Sequence, residues 1–179
     1  MRTVLVLGGY GFFGQRISAA LASTASVRVI VGGRDLGRAS ATAHAIGLPL
    51  EHAVALDAHD HDLADILRHL HVDVLIHTAG PFQGQDYSVA RAAIGAGCDY
   101  IDLADGRHFV AGVSSLSALA SAAGVTVISG ASSVPGPFNG SSSQSREGAV
   151  SKSRPVQSHK FRIGVSARRI EWAAAGQRR

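Results

Sequence analysis

The sequence predicts an α/β protein built on a doubly wound parallel sheet of six strands with helices on both faces. Apolar strand-like runs alternate with helical patterns over residues 1–135, which is typical of parallel strands joined by crossover helices. The first run, residues 3–7, is rich in valine and leucine at successive positions, as expected for a strand covered on both faces. A glycine-rich segment separates this run from the first helical pattern, which indicates a tight strand-to-helix turn.

The predicted elements follow one another along the chain. The strands are residues 3–7, 27–31, 52–56, 72–77, 100–103 and 125–129. The helices are residues 12–22, 35–46, 60–70, 87–96 and 109–123. Asp35 suits a helix N-cap, and Gly97 and Gly124 end the last two helices as C-caps. Because crossovers between parallel strands are right-handed, we expect the strand order 3-2-1-4-5-6 of a Rossmann-type fold.

Helical spacing also predicts which helix faces are buried. In the first helix the inner face comprises Phe13, Ile17, Ala20 and Leu21. In the third helix it comprises Leu63, Ile66, Leu67 and Leu70. We expect both faces to pack against the sheet.

Composition excludes several classes of protein. Hydrophobic residues make up 46% of the chain, and the mean hydropathy is +0.16, which excludes a wholly disordered chain. No apolar run reaches the ~18–20 residues that span a bilayer, and the first run is too short for a signal peptide. The lone Cys98 excludes an internal disulfide framework. We therefore expect a soluble, cytoplasmic protein that does not contact membranes.

The net charge of +4 is distributed unevenly. Residues 1–135 hold 8 Arg, no Lys and 11 acidic residues, whereas residues 136–179 hold 9 basic and 2 acidic residues. The second segment is rich in Ser and Gly and lacks an apolar face, which predicts a poorly ordered tail after one domain of residues 1–135, with a short helix around 168–175. Because such a tail is usually solvated, we expect no nucleic-acid partner.

The glycine-rich segment carries the main functional signal. Its spacing satisfies G-x-G-x-x-G between a predicted strand and a predicted helix, which is the context of a dinucleotide-binding turn. In this pattern Gly9 allows the tight turn, Gly11 admits the pyrophosphate to the backbone, and Gly14 lets the helix pack on the strand. The helix start then offers N–H groups to phosphates. The predicted contacts are Gly8, Gly9, Tyr10, Gly11, Phe12, Phe13 and Gly14.

The end of the second strand distinguishes the two nicotinamide cofactors. An NAD site usually places an acidic residue there for the ribose hydroxyls, but this chain has Gly33-Arg34, and Asp35 only after it. Arg34 suits a 2′-phosphate, and Arg38 is either a second contact or a surface residue. Asp35 is either the ribose acid or only the helix cap. The pattern favours NADP over NAD.

Two further strand ends complete the predicted cofactor site. Asp57 follows the third strand, where it either approaches the adenine amino group or caps the next helix. The fourth strand ends in His77 and then in small residues beside the switch point of the sheet, where the nicotinamide half would pass. The predicted contacts there are Ala79, Gly80, Pro81 and Phe82.

Candidates for catalysis are weaker. Tyr87, with Arg91 four residues on, resembles the Y-x-x-x-K of short-chain dehydrogenases, but arginine stays charged and does not suit that proton relay. Asp102 and Asp105 follow the fifth strand, where they either serve proton transfer or cap a loop. Cys98 is expected to be buried and inert.

Two other kinds of site are rejected. The Asp/His run at 57–62 diverges along a helix start instead of converging on one point, so we predict no metal site. A hydrolase is also excluded, because the chain has no nucleophile elbow with a Ser-His-Asp order.

Several of these segments occur together in known proteins. They are residues 9–14, 33–34, 56–57, 78–82, 96–103 and 130–136. Together they resemble the NADP-binding domain of the saccharopine dehydrogenase-like oxidoreductases, over residues 3–136. The A-G-P-F and A-G-x-x-Y-I-D-L segments are more specific than the glycine motif. The resemblance implies NAD(P)-dependent hydride transfer to or from a small-molecule substrate, which a second α/β domain would hold.

The chain departs from that family after residue 136. The family continues into an apolar helix and a substrate domain, whereas a polar, basic segment follows here, which suggests a truncated or frameshifted remnant. Three alternatives therefore stand: an NADP-dependent oxidoreductase, a non-catalytic dinucleotide-binding module (a truncated product or a sensor), and an atypical short-chain reductase that uses Tyr87. An open sheet edge at the sixth strand favours a homodimer.

Overall fold

The computed structural model describes residues 1–131 and, beyond them, the backbone of three strands. The strands are β1 (Arg2–Leu7), β2 (Val27–Gly33), β3 (Ala53–Ala55), β4 (Val74–His77), β5 (Asp99–Asp102), β6 (Val127–Ile128), β7 (Val150–Ser151), β8 (Lys160–Ser166) and β9 (Arg169–Ala175). The helices are α1 (Phe12–Ala22), α2 (Leu36–Ala45), α3 (Leu63–His69), α4 (Ser88–Ala96), α5 (Arg107–Gly112) and α6 (Ser117–Ala123), with 3₁₀ turns at Leu50–His52 and Val113–Leu116.

The first six strands form a parallel sheet in the order β3-β2-β1-β4-β5-β6, which confirms the predicted fold class and strand order. Leu7, at the end of β1, pairs with Gly32 on one side and with His77 on the other. The winding therefore switches direction at β1, and such a switch point opens a crevice at the carboxyl edge of the sheet. β7 pairs antiparallel with β6. The edge of the sixth strand, which was expected to be open and therefore to favour a homodimer, is thus covered by a further strand.

The apolar residues of β1 serve two cores, one on each face of the sheet. Leu5 and Leu7 are buried in the core beneath α3 and α4, whereas Val4 and Val6 are buried with Leu21 of α1. All four β1 side chains are at most 6% exposed. The alternation of side chains along a strand places them on opposite faces, which confirms that both faces of this strand are covered.

The predicted buried face is correct for the third helix; for the first helix it is correct at Leu21 and Ile17, which pack in the core, and wrong at Phe13. Leu63 and Leu67 of α3 are buried. In α1, however, the buried residues are Gly14, Ser18 and Leu21, while Phe13 is 48% exposed. The physical reason is close packing at Gly14, where an added Cβ would clash with Gly8 O and lie 2.7 Å from the Cα of Gly9. This contact turns the bare side of the glycine towards the sheet and Phe13 outward.

The segment 109–123 is mostly helical, as predicted, and is divided into α5, a 3₁₀ turn and α6; the Ser114 hydroxyl there donates to the Ala111 carbonyl at 3.2 Å. Such a side-chain bond competes with regular helical bonding. The short helix predicted around 168–175 is wrong, because Arg169–Ala175 pairs as strand β9 with β8. The boundary at residue 135 and the rest of the tail lie outside the described residues.

Substitution of Gly14 by alanine tests the packing of α1. We expect Gly14→Ala to lower the free energy of unfolding by about 1–3 kcal/mol, because the new methyl group is forced against the backbone of the turn. Gly95→Ala is the matched control, since Gly95 lies in α4 and an added Cβ meets no atom within 4 Å. That change should raise the free energy of unfolding by about 0.5–1 kcal/mol. Urea denaturation measures both, and equal effects would contradict the packing.

Candidate functional site

The turn between β1 and α1 leaves peptide N–H groups uncommitted at the start of the helix. The amides of Phe12, Phe13 and Gly14 have no acceptor among the described residues. The N-cap, Gly11, has no side chain to bond them, and the first turn of α1 contains no acidic residue. These groups therefore concentrate partial positive charge at one end of the helix.

Gly8, and not Gly9, makes the tight turn. Gly8 has a φ of +80°, a conformation that favours glycine, and its amide and that of Gly9 both donate to Gly32 O at 2.9 Å. Gly9 is needed for a different reason: an added Cβ would lie 2.8 Å from Cγ1 of Val31 in β2. The role predicted for Gly9 is therefore corrected, and both glycines hold the turn against the neighbouring strand.

The loop after β4 closes on the same turn across the switch point. A Cβ on Gly8 would lie 2.9 Å from Thr78 Oγ1 and 3.0 Å from Ala79 N. The Thr78 hydroxyl donates to Leu7 O at 2.9 Å, and its amide donates to the same oxygen at 2.8 Å. The carboxyl ends of β1 and β4 are thus in contact at the switch point, where doubly wound sheets bind their ligands.

The predicted contacts in residues 79–82 lie along this loop. Gly80 and Pro81, joined by a cis peptide bond, are exposed, whereas Phe82 is only 5% exposed. Nε2 of Gln85 donates to Ala79 O at 3.1 Å and to Pro81 O at 2.6 Å. The side chain of Gln85, which sequence analysis did not single out, therefore holds the backbone of this loop.

Arg34 and Asp35 diverge at the end of β2. The Asp35 carboxylate accepts the Arg38 amide at 3.0 Å and so caps α2. Arg34 is exposed, and its side chain has no hydrogen bond or ion pair within the described residues. Of the two roles left open for Asp35, the structure shows that of helix cap, and the free guanidinium beside it belongs to Arg34.

Asp57 closes a turn after β3. Its carboxylate accepts the His59 amide at 3.0 Å, and its own amide donates to Oδ2 of Asp60 at 2.9 Å. The backbone beside it is tied to β2, because the Leu56 amide donates to Gly33 O at 3.0 Å. Asp57 thus lies near the end of β2 and acts as a turn cap.

A row of buried polar side chains lies beneath the carboxyl ends of β4, β5 and β6. Oδ1 of Asp102 accepts the Ser129 hydroxyl and the amides of Ala104 and Gly130, each at 2.9 Å. His77 pairs with Asp102 in the register of β4 and β5. Sequence analysis named Asp102 but missed His77 and Ser129 as its neighbours. The rule that parallel strands end at one edge could have grouped them.

Burial changes the titration of this row and of Cys98. Nδ1 of His77 is hydrogen-bonded to the Tyr100 hydroxyl at 3.0 Å. Burial lowers the pKa of His77 to about 4, because the charged imidazolium loses its hydration. Burial, together with the nearby Asp102 carboxylate, raises the pKa of Tyr100. Cys98 is buried and burial raises its pKa to about 12, so the thiol remains protonated.

All three candidates for catalysis are engaged by the protein. The Tyr87 hydroxyl donates to Phe109 O at 2.7 Å, and burial raises the pKa of this phenol. The Asp102 carboxylate is fully buried in the row described above. Asp105 is exposed and accepts Nε2 of Gln83 at 3.1 Å. Within the described residues, none of these three side chains is hydrogen-bonded to the turn between β1 and α1.

No group of three or more His, Cys, Asp or Glu residues in the described part of the chain is arranged to hold a metal ion. Within the same residues, every helix is too short or too polar to cross a membrane.

Comparison with known proteins places the chain among dinucleotide-binding domains. Residues 4–128 match the family described as Saccharopine dehydrogenase NADP binding domain. The structure of apo saccharopine dehydrogenase (L-Glu forming) from Saccharomyces cerevisiae is 27% identical, with a TM-score of 0.60, over 73% of this chain and 27% of that chain. A comparison with curated proteins gives no match.

Two more distant structures show the fold alone. GenD2 from gentamicin A biosynthesis, in complex with NAD, is 24% identical, with a TM-score of 0.51, over 73% of this chain and 34% of that chain. A putative oxidoreductase from Klebsiella pneumoniae is 18% identical, with a TM-score of 0.53, over 73% of this chain and 34% of that chain. The matched region thus makes up about a quarter to a third of each of these three structures.

The pH dependence of unfolding tests the burial of His77. Since its pKa falls from 6.5 to about 4 on folding, the unfolded chain binds a proton between these values that the folded chain does not. The free energy of unfolding should therefore fall as the pH drops from about 6.5 to 4, by about 3 kcal/mol. His77→Gln should remove this component from urea denaturation curves.

The exposed His69 provides the control. His69→Gln should leave the pH slope of the wild type unchanged, because its ring is not buried. If the wild type and His77→Gln show the same slope between pH 6.5 and 4, the assignment of a buried neutral imidazole fails.

Proposed function

The chain belongs to the saccharopine dehydrogenase NADP-binding domain family, and from this premise we propose that it binds NADP(H) for hydride transfer to or from a small-molecule substrate. Family and fold together make it a dinucleotide-binding domain of the oxidoreductase type.

The uncommitted amides at the start of α1 carry the proposal. Gly11 has no side chain to cap an amide of α1, and a Cβ placed there would lie 3.1 Å from Gly8 O, so the turn presents backbone alone at this position. The amides of Phe12 and Phe13 have no acceptor among the described residues. A pyrophosphate suits this cradle, because it supplies acceptors and negative charge at the positive end of a helix.

The crevice beside the turn suits the rest of a dinucleotide. The loop after β4 presents small residues, Ala79 next to Gly8 and then the exposed Gly80, and these allow close approach of a flat ring. Gln85 and Thr78 hold that loop to its neighbours. When bound there, the nicotinamide supplies the hydride chemistry, and the protein supplies position and electrostatics.

NADP is favoured over NAD by the two side chains at the end of β2. An NAD site depends on a carboxylate that accepts the ribose hydroxyls, but Oδ1 of Asp35 accepts the Arg38 amide at 3.0 Å, which leaves its Oδ2 as the oxygen without a partner among the described residues. Arg34, which is exposed beside it, provides a charged fork that suits a phosphate. Asp57, engaged as a turn cap, provides at most its remaining oxygen to an adenine amino group.

A non-catalytic dinucleotide-binding module is the second candidate. It is favoured by the hydrogen bonds of the Tyr87 hydroxyl to Phe109 O and of Asp102 Oδ1 to Ser129, which hold these two candidates within the fold, while the exposed Asp105 accepts Gln83. The hydrogen bond from Tyr87 to Phe109 O also argues against a short-chain reductase that relies on this phenol. Hydride transfer measured with a panel of substrates separates an oxidoreductase from a module.

Cofactor titration tests the proposal directly. NADPH fluorescence should show saturable binding to the chain, with weaker binding of NADH, because only NADPH places a phosphate beside Arg34. Bound ligand at 100 times its Kd should also raise the stability of the fold by about 2.7 kcal/mol in thermal unfolding. Binding of neither dinucleotide to the folded chain would overturn the proposed function.

Substitution of Arg34 tests the choice of cofactor. Arg34→Ala should weaken NADPH binding by about 10–100-fold, the effect of losing charge-assisted hydrogen bonds, and should leave NADH binding nearly unchanged. Arg2→Ala is the matched control, because Arg2 is exposed and lies at the opposite, amino edge of the sheet. An unaltered preference for NADPH in Arg34→Ala would refute the role of Arg34.

A further inference from the structure

Tyr10, in the middle of the glycine-rich turn, reaches across to the end of β2. A Cβ on Gly33 would lie 2.8 Å from Cζ and 3.1 Å from Cδ1 of the Tyr10 ring, so the ring rests directly on the backbone of β2. The Asp35 amide donates to the Tyr10 hydroxyl at 3.2 Å. The ring is therefore held at two points, by Gly33 along its edge and by Asp35 at its hydroxyl.

Arg38 is stacked on this ring. The centre of its guanidinium lies 4.5 Å from the centroid of the Tyr10 ring, within the range of a cation–π contact. Its backbone is also held, because the Arg38 amide donates to the Asp35 carboxylate at 3.0 Å. In the described residues no carboxylate forms an ion pair with Arg38, so its five N–H donors remain available.

We propose that Tyr10 is a positioning residue for cofactor selection, which holds Arg38 beside Arg34 so that two guanidinium groups receive the 2′-phosphate of NADP. This inference rests on the proposed function. The reason is chemical: a phosphate monoester carries nearly two negative charges, and a second cation held in place loses less freedom on binding than a mobile one. Asp35 supports the arrangement, since its amide donates to the Tyr10 hydroxyl and its Oδ1 accepts the Arg38 amide.

A double-mutant cycle distinguishes this role from simple packing. Arg38→Ala should weaken NADPH binding about tenfold and leave NADH binding unchanged. Tyr10→Leu, which removes the ring, should weaken NADPH binding by a similar factor. The double variant should bind NADPH no more than about twofold worse than either single variant, because the second change removes nothing further. Tyr10→Phe keeps the ring and should retain most of the affinity.

The readout is the ratio of the dissociation constants for NADPH and NADH, measured by fluorescence titration for every variant. Two results would overturn the inference: losses that multiply in the double variant, or equal losses for NADPH and NADH. Either result would leave the proposed function intact, provided that the wild type binds NADPH more tightly than NADH and that Arg34→Ala removes this preference. If circular dichroism shows that Tyr10→Leu does not fold, Tyr10→Phe and Arg38→Ala still test the inference. Loss of the NADPH preference in Tyr10→Phe would contradict the positioning role of Tyr10. Retention of the full preference in Arg38→Ala would contradict the role of Arg38.

Discussion

The contact that the rest of the site depends on is the packing of Gly14 against Gly8 and Gly9. No Cβ fits between α1 and the end of β1 at this point, so the helix lies as close to the strand as backbone atoms allow. That approach sets which side of α1 faces the sheet. It also leaves the amides of Phe12 and Phe13 at the mouth of the crevice, where neither a capping side chain nor an acidic residue competes for them.

A second constraint holds the other side of the crevice. Buried polar groups destabilise a fold unless they are hydrogen-bonded. Oδ1 of Asp102 accepts three donors, whereas its Oδ2 is buried without a hydrogen-bond partner in the described residues. Those donors lie in the segments that follow β5 and β6, while His77 stands beside Asp102 at the end of β4. The row thus ties three strand ends together, and the loops that continue from them begin from fixed positions.

The charged side chains at the carboxyl ends of β2 and β3 favour the binding of an anion. Asp35 and Asp57 are the acidic residues nearest in sequence to the ends of β2 and β3, and both turn their carboxylates to backbone amides of their own turns. Arg34 and Arg38 keep their guanidinium groups free of carboxylate partners in the described part of the chain. Because the two carboxylates cap a helix and a turn, they do not pair with the two arginines, whose positive charge remains available to an anion.

The sequence by itself determined the six strands and the place of the glycine-rich turn, because apolar alternation, helical spacing and turn residues are local properties of the chain. The strand order followed from the right-handed crossovers of a doubly wound sheet. It also identified Cys98 as a buried thiol, whereas it left Asp35 open between a ribose contact and a helix cap, of which the structure shows the cap. Only the tertiary structure decided that Gly8 makes the turn, that Phe13 faces outward, and that Tyr10 lies on Gly33. These outcomes depend on close contacts between residues that are brought together by neighbouring strands or helices. The periodicity of apolar residues along the chain does not determine the distance between two such backbones.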